Sequence, residues 1–174
     1  MAEKHVVARA GAINPTQTLS PYLLAHELAR CMRGAVMAER ALAAMTAMDA
    51  NIDTAISATE AAWGDANLMA ASILGEAEHL PDVIVLIAAI VERMVALRDE
   101  EEGKTFMQQI HNRRADLWLA ACCTGDLRLQ RGLAWTLDAL QDMAALDTFG
   151  AITPPQGSCP AAPDLSQHMD LTAA

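Results

Sequence analysis

One run of spacings constrains this chain more than any other feature. Ile52, Ile56, Thr59, Trp63, Ala66, Ala70, Ile73, Ala77 and Leu80 follow one another in steps of four and three without a miss. Only an α-helix brings residues at that spacing onto one face, because 3.6 residues complete a turn. Gly64 lies inside the run, and a glycine within a helix costs about 1 kcal/mol relative to alanine. The unbroken register predicts that the helix continues through it, and a break at Gly64 with Asp65 capping a new helix is the alternative. Pro81 disfavours helical geometry at Leu80 and closes the segment.

The same reading extends on both sides. Ser20-Pro21 is a helix start, with serine suited to cap free N–H groups and proline suited to the first helical position. Leu24, Leu28, Cys31, Ala35, Ala38, Leu42 and Met45 then form a seam that predicts a helix to about Met48. Two helices of that length joined by a short turn form an antiparallel hairpin over residues 20–80, each arm about 45 Å long. A third helix is predicted over 82–98, with Val83, Ile87, Ile90, Met94 and Leu97 as its seam, widened by Ile84, Val91 and Val95. Acidic residues favour a helix N-terminus, and Asp99 with Glu102 has capping-box spacing. They predict a fourth helix over 99–123, with Gly103 as a weak point; if Gly103 is a C-cap instead, that boundary moves by four residues. Asp126 is positioned to cap a fifth helix over 126–148, with Leu133, Leu137, Leu140 and Ala144 facing the core.

Composition points the same way. The chain of 174 residues holds 36 alanines and 10 methionines but only six aromatic residues. Sheet cores draw on β-branched and aromatic side chains, whereas alanine is the best helix former. The expected fold class is therefore all-α, a bundle of about five helices in one domain. Residues 1–19 read as an irregular arm, and residues 151–174, with four prolines, read as a tail. The segment Leu165 to Leu171 within that tail has the look of a docking peptide or of a spacer.

Charge narrows the partners. The net charge is −10, and residues 49–102 alone hold twelve acids and two bases. Such a field repels nucleic acid and leaves open a basic protein partner or a divalent cation. The longest apolar run, Val83 to Val91, is far short of the roughly 20 residues that span a bilayer, so no membrane partner is expected. The N-terminal sequence has no apolar stretch of secretory-signal length. The cysteines (Cys31, Cys122, Cys123, Cys159) form no disulfide framework, which predicts a cytoplasmic protein.

Three groups of residues could carry chemistry. Glu76 and His79 form an E-x-x-H pair, the unit that carboxylate-bridged di-iron bundles use, and spacing of three can place both on one helix face. Glu39 or Glu60 could join such a site, and helix 126–148 adds aspartates but no glutamate. Arg113 and Arg114, with Arg128 and Arg131 on the following helix, are a basic cluster able to grip a phosphate or a carboxylate-rich partner, or to pair internally with the acidic middle segment. Adjacent cysteines on a helix point about 100° apart, so Cys122 and Cys123 are poorly placed to share a metal, and the thiols read as small apolar groups. Nucleotide-binding glycine loops, nucleophile-elbow and zincin motifs are absent, and no cofactor is predicted.

His26-Glu27-Leu28, near the start of the first long helix, resembles the opening of the phospho-accepting box of sensor histidine kinases, which also lies on a two-helix hairpin. The resemblance covers three residues. The arginine and proline that follow in that box are absent, since the chain continues Ala29-Arg30-Cys31-Met32. What it implies is a phosphate relay with His26 as acceptor. The leading expectation from the residues is different: a non-enzymatic protein-interaction module, acting through helix packing and forming a homodimer. A long hairpin with small-residue seams leaves apolar stripe uncovered, and Met32, Met37, Met45, Met48 and Met69 supply adaptable apolar surface.

Overall fold

The computed structural model describes residues 20–152, and all of the regular structure among them is helical, with six α-helices packed together. The expected N-terminal arm, and all but the first two residues of the expected tail, lie outside these residues. The helices are α1 (Pro21–Ala43), α2 (Ile52–Gly75), α3 (Asp82–Ala96), α4 (Glu101–Asn112), α5 (Arg114–Cys122) and α6 (Leu127–Ala144), with 3-10 turns at Ala77–His79 and Asp147–Phe149.

Helix α1 is the centre of the bundle, packed by α2 on one side and by α6 on the other, while α3 covers α2 and α5 covers α6. This gives α1 two buried stripes. Leu24, Leu28, Cys31 and Ala35 continue the seam visible in the sequence, and Ala25, Ala29, Met32 and Val36 form a second. Met32 is therefore core and not adaptable surface. The second stripe meets α6 at very close range. A Cβ on Gly132 would stand 3.1 Å from Ala25 Cβ and 3.3 Å from the Tyr22 carbonyl oxygen. One turn on, Thr136 Oγ1 donates to the Ala25 carbonyl at 3.1 Å and to that of Gly132 at 3.0 Å. Tyr22 lies by Gly132, and Arg40 lies by Asp142 at 3.4 Å, so α1 and α6 run in the same direction.

Several ends differ from the sequence expectation, each for a local reason. Helix α1 stops at Ala43, short of Met48, because Asp49 Oδ2 accepts from the Thr46 backbone N–H at 2.6 Å and from its hydroxyl at 3.2 Å. A carboxylate that captures a backbone donor in this way competes with helical bonding. Helix α2 passes through Gly64 but ends at Gly75, and the backbone tightens into the 77–79 turn before Leu80 turns extended ahead of Pro81. The arms are thus 23 and 24 residues long, roughly 35 Å each, not 45 Å. Helix α3 ends at Ala96, and Asp99 adopts a left-handed conformation, φ 68°. Helix α4 consequently starts at Glu101 with Glu100 as its N-cap, and the Asp99 carboxylate bonds Arg98 and not a helix N–H.

The single helix expected over 99–123 is two. Arg113 separates α4 from α5, its N–H shared between the Gln109 and Ile110 carbonyls. The stripe Met107, Ile110, Arg114, Leu117, Ala121 keeps its three-four spacing across the interruption, so the sequence pattern carries no sign of it. Asp126 caps α6, its Oδ1 accepting from Arg128 N at 2.8 Å and from Leu129 N at 3.2 Å. After α6 the chain folds back through Gly150, φ 93°, a conformation that suits glycine. This reversal lets Phe149 enter the core and Ile152 N bond the Ala144 carbonyl at 2.8 Å.

Candidate functional site

The residues singled out in the sequence fall at four separate places. Glu76 is the C-cap of α2 and His79 ends the 3-10 turn beyond it, and both are exposed. They do not share an α-helical face, because the helix ends before either. Glu39 and Glu60 are engaged elsewhere, and Glu60 lies 16 residues before Glu76, about 24 Å along the helix if it were continuous. Among the described residues no three His, Cys, Asp or Glu side chains come together as a ligand set.

Glu39 belongs instead to a knot around Trp63. Trp63 is 1% exposed, and its indole Nε1–H donates to Glu39 Oε2 at 2.8 Å. Glu39 Oε1 accepts from the Thr148 hydroxyl at 2.9 Å. Phe149 meets the indole edge to face with centroids 5.9 Å apart, and the Arg98 guanidinium lies over it at 5.6 Å. Arg98 in turn bonds Glu60 and Asp99. One residue thus ties α1, α2, the α3–α4 turn and the segment after α6 together. Every polar group has a partner, and the arrangement is that of a structural clasp.

The four arginines are not one cluster. Arg113 pairs with Asp116 at 3.3 Å and Arg114 with Asp138 of α6 at 3.6 Å, neither of these aspartates from the acidic middle segment. Arg128 and Arg131 lie seven or more residues away from Asp138 along α6, about 10 Å or more. They are exposed and have no ion pair among the described residues. The acidic middle segment is served by its own two arginines, Arg93 with Glu102 and Arg98 with Glu60 and Asp99.

His26 does not stand free on the helix surface. Its ring lies 5.1 Å from Trp135 of α6, edge on, and 6.1 Å from Tyr22 one turn earlier on α1. Sequence reasoning missed both neighbours. Tyr22 and His26 are four apart, and so are Arg131 and Trp135, so each pair lies on one helix face. What the sequence did not contain is that the two faces meet.

Cys31 is buried, and burial pushes its thiol above the usual range, whereas Cys122 and Cys123 are exposed. A thiolate is the reactive form, so the expected result of native iodoacetamide treatment is rapid alkylation of Cys122 and Cys123 with Cys31 protected until denaturant is added. Peptide mass mapping reads this directly, and equal labelling of Cys31 would contradict the packing of α1.

A cleft between α4, α5 and α6, lined by Met107, His111, Arg114 and Leu137, holds about 20 Å³, room for roughly one water. A depression of about 380 Å³ between α2 and α3, lined by Asn67, Glu92 and Arg93, is wide and open. No helix among the described residues is long and apolar enough to cross a membrane. The described residues thus form an all-α bundle. No protein-family model matches the chain, and no curated protein or solved structure matches it either.

Proposed function

We propose that the protein is a non-enzymatic interaction module that self-associates through helix packing, with the outward face of α2 as the contact between two copies. One observation carries this reading. Ala58, Ala61, Gly64, Leu68, Ala71 and Gly75 follow a three-four spacing on the side of α2 opposite Trp63, and all six are exposed. A solvated helix face normally carries charge, and none of these six residues does; the charged residues that flank the stripe are Glu60, which is bonded to Arg98, and Asp65. Leu68 is 69% exposed. Among the described residues, no atom outside the helix's own nearby backbone comes within 4 Å of a Cβ placed on Gly64 or Gly75, so packing within the described bundle does not call for either glycine. Small residues at this spacing suit the close approach of a second helix, and a face meeting its own copy across a two-fold axis closes the assembly as a dimer.

The test is native mass spectrometry with light scattering on the full chain. A dimer is expected for the parent protein and a monomer for Leu68→Glu and Gly64→Leu, with far-UV circular dichroism unchanged because both positions are exposed in the single chain. A parent protein that is monomeric at micromolar concentration removes the proposal.

A further inference from the structure

A second surface is independent of the α2 face. The chain carries 22 acids against 12 bases, so carboxylates are plentiful. Every described lysine and arginine has a carboxylate partner except Arg33, Arg128 and Arg131. These three are not scattered. Arg128 and Arg131 lie two turns and one turn before Trp135 on one stripe of α6, and Arg33 lies two turns after His26 on one stripe of α1. Trp135 and His26 are in contact, with Tyr22 against His26, and all three rings are half-buried. The acids on these stripes are already neutralised: Glu27 by Arg30, Asp138 by Arg114 and Asp142 by Arg40.

We infer that the α1–α6 groove at Tyr22, His26 and Trp135, flanked by Arg33, Arg128 and Arg131, docks an acidic peptide segment of a partner protein. Half-buried tyrosine and tryptophan beside unpaired arginine is the composition of interface hot spots, where the aromatic supplies area and the guanidinium takes a carboxylate in two parallel bonds. Neither of the two clefts described above touches these residues. A small ligand needs a concavity that buries most of it, whereas an extended chain can lie along two helices. Because α1 and α6 run in the same direction, with Ala25 level with Thr136, Arg128 and Arg33 bracket about 24 Å, the span of roughly seven extended residues. A long polyanion would also meet the −10 field of the whole chain, which a short acidic segment largely avoids.

The probe is an array of synthetic peptides of about seven to ten residues, each with several Asp or Glu and one aromatic, beside a matched array with Asn and Gln. The full-length protein is expected to be retained on acidic spots and not on their amide counterparts. Affinity for the best spots should fall at least tenfold in Arg128→Glu/Arg131→Glu and stay unchanged in Arg113→Glu, an exposed arginine at the junction of α4 and α5. Titrating the best peptide should shift the Trp135 indole NMR signal and leave that of buried Trp63 in place, which also reports an intact fold. Equal retention of the double variant, retention on the amide array, or a preference for a single-stranded oligonucleotide or inorganic phosphate overturns the assignment. Because the variants lie on α6 and not on α2, the oligomeric state is expected to be unaffected, and this result stands or falls apart from the dimer.

Discussion

Replacing Trp63 with alanine is expected to destabilise the bundle by about 3–5 kcal/mol, a large part of the roughly 5–15 kcal/mol that holds a domain of this kind together. The indole is almost fully buried, packs edge to face on Phe149 and lies under Arg98. Truncation removes the largest buried side chain at the junction of four segments and leaves Glu39 Oε2 without its donor. Trp63→Phe separates these contributions. It keeps most of the packing and deletes the indole N–H, so the expected loss is about 1–2 kcal/mol, the cost of one charge-assisted hydrogen bond to a half-buried carboxylate. Urea denaturation followed by far-UV circular dichroism gives both values. Equal losses for alanine and phenylalanine would mean that the hydrogen bond, and not the packing, holds this end of the bundle.

Gly103→Ala is the second large effect, and its sign is opposite to what helix propensity predicts. Gly103 lies in the first turn of α4, where alanine normally gains up to about 1 kcal/mol over glycine. A Cβ there would stand 2.2 Å from the Leu97 carbonyl oxygen and 3.0 Å from its carbon. Both are backbone atoms at the end of α3, in a turn already pinned by Glu100 N bonding that same carbonyl at 3.1 Å and by the left-handed Asp99. The turn must open to admit a methyl group, and Arg98, held over Trp63 from the same turn, moves with it. A net loss of about 2 kcal/mol or more is expected. Gly34→Ala is the control. It is the same substitution inside α1, where no described atom outside the helix's own nearby backbone lies within 4 Å of the added Cβ, and it should stabilise by about 0.5–1 kcal/mol. Thermal unfolding of the two variants should therefore shift in opposite directions, and a shared direction would refute the close approach at Leu97.

Much of this was legible in the chain itself, and particular residues show why. Thr59, Trp63, Ala66, Ala70 and Ile73 are buried along α2, and Val83, Ile87, Ile90 and Met94 along α3, because apolar residues at helical spacing can be buried together only on one face. Leu133, Leu137, Leu140 and Ala144 do the same on α6. Period, caps and composition are properties of neighbours in the sequence, so they determined the all-helical fold class and most helix faces. They could not show the break at Arg113, where neither glycine nor proline marks the site, nor the stop at Ala43, which depends on one carboxylate turning back onto Thr46.

What only the tertiary structure decided is who meets whom. A single seam on α1 was visible, but its second stripe, Ala25, Ala29, Met32 and Val36, gains meaning only when α6, more than 80 residues further on, lies parallel against it. That docking depends on the close approach at Gly132 and the Thr136 hydroxyl bond, which no local pattern signals. It also divides the arginines, leaving Arg113 and Arg114 paired with aspartates while Arg128 and Arg131 stay exposed on the stripe of α6 that leads to Trp135, the residue that meets His26. The physical reason is the same in each case. Periodicity records which face of a helix avoids water, whereas the partner of that face is chosen by shape and hydrogen bonding between segments far apart in the chain.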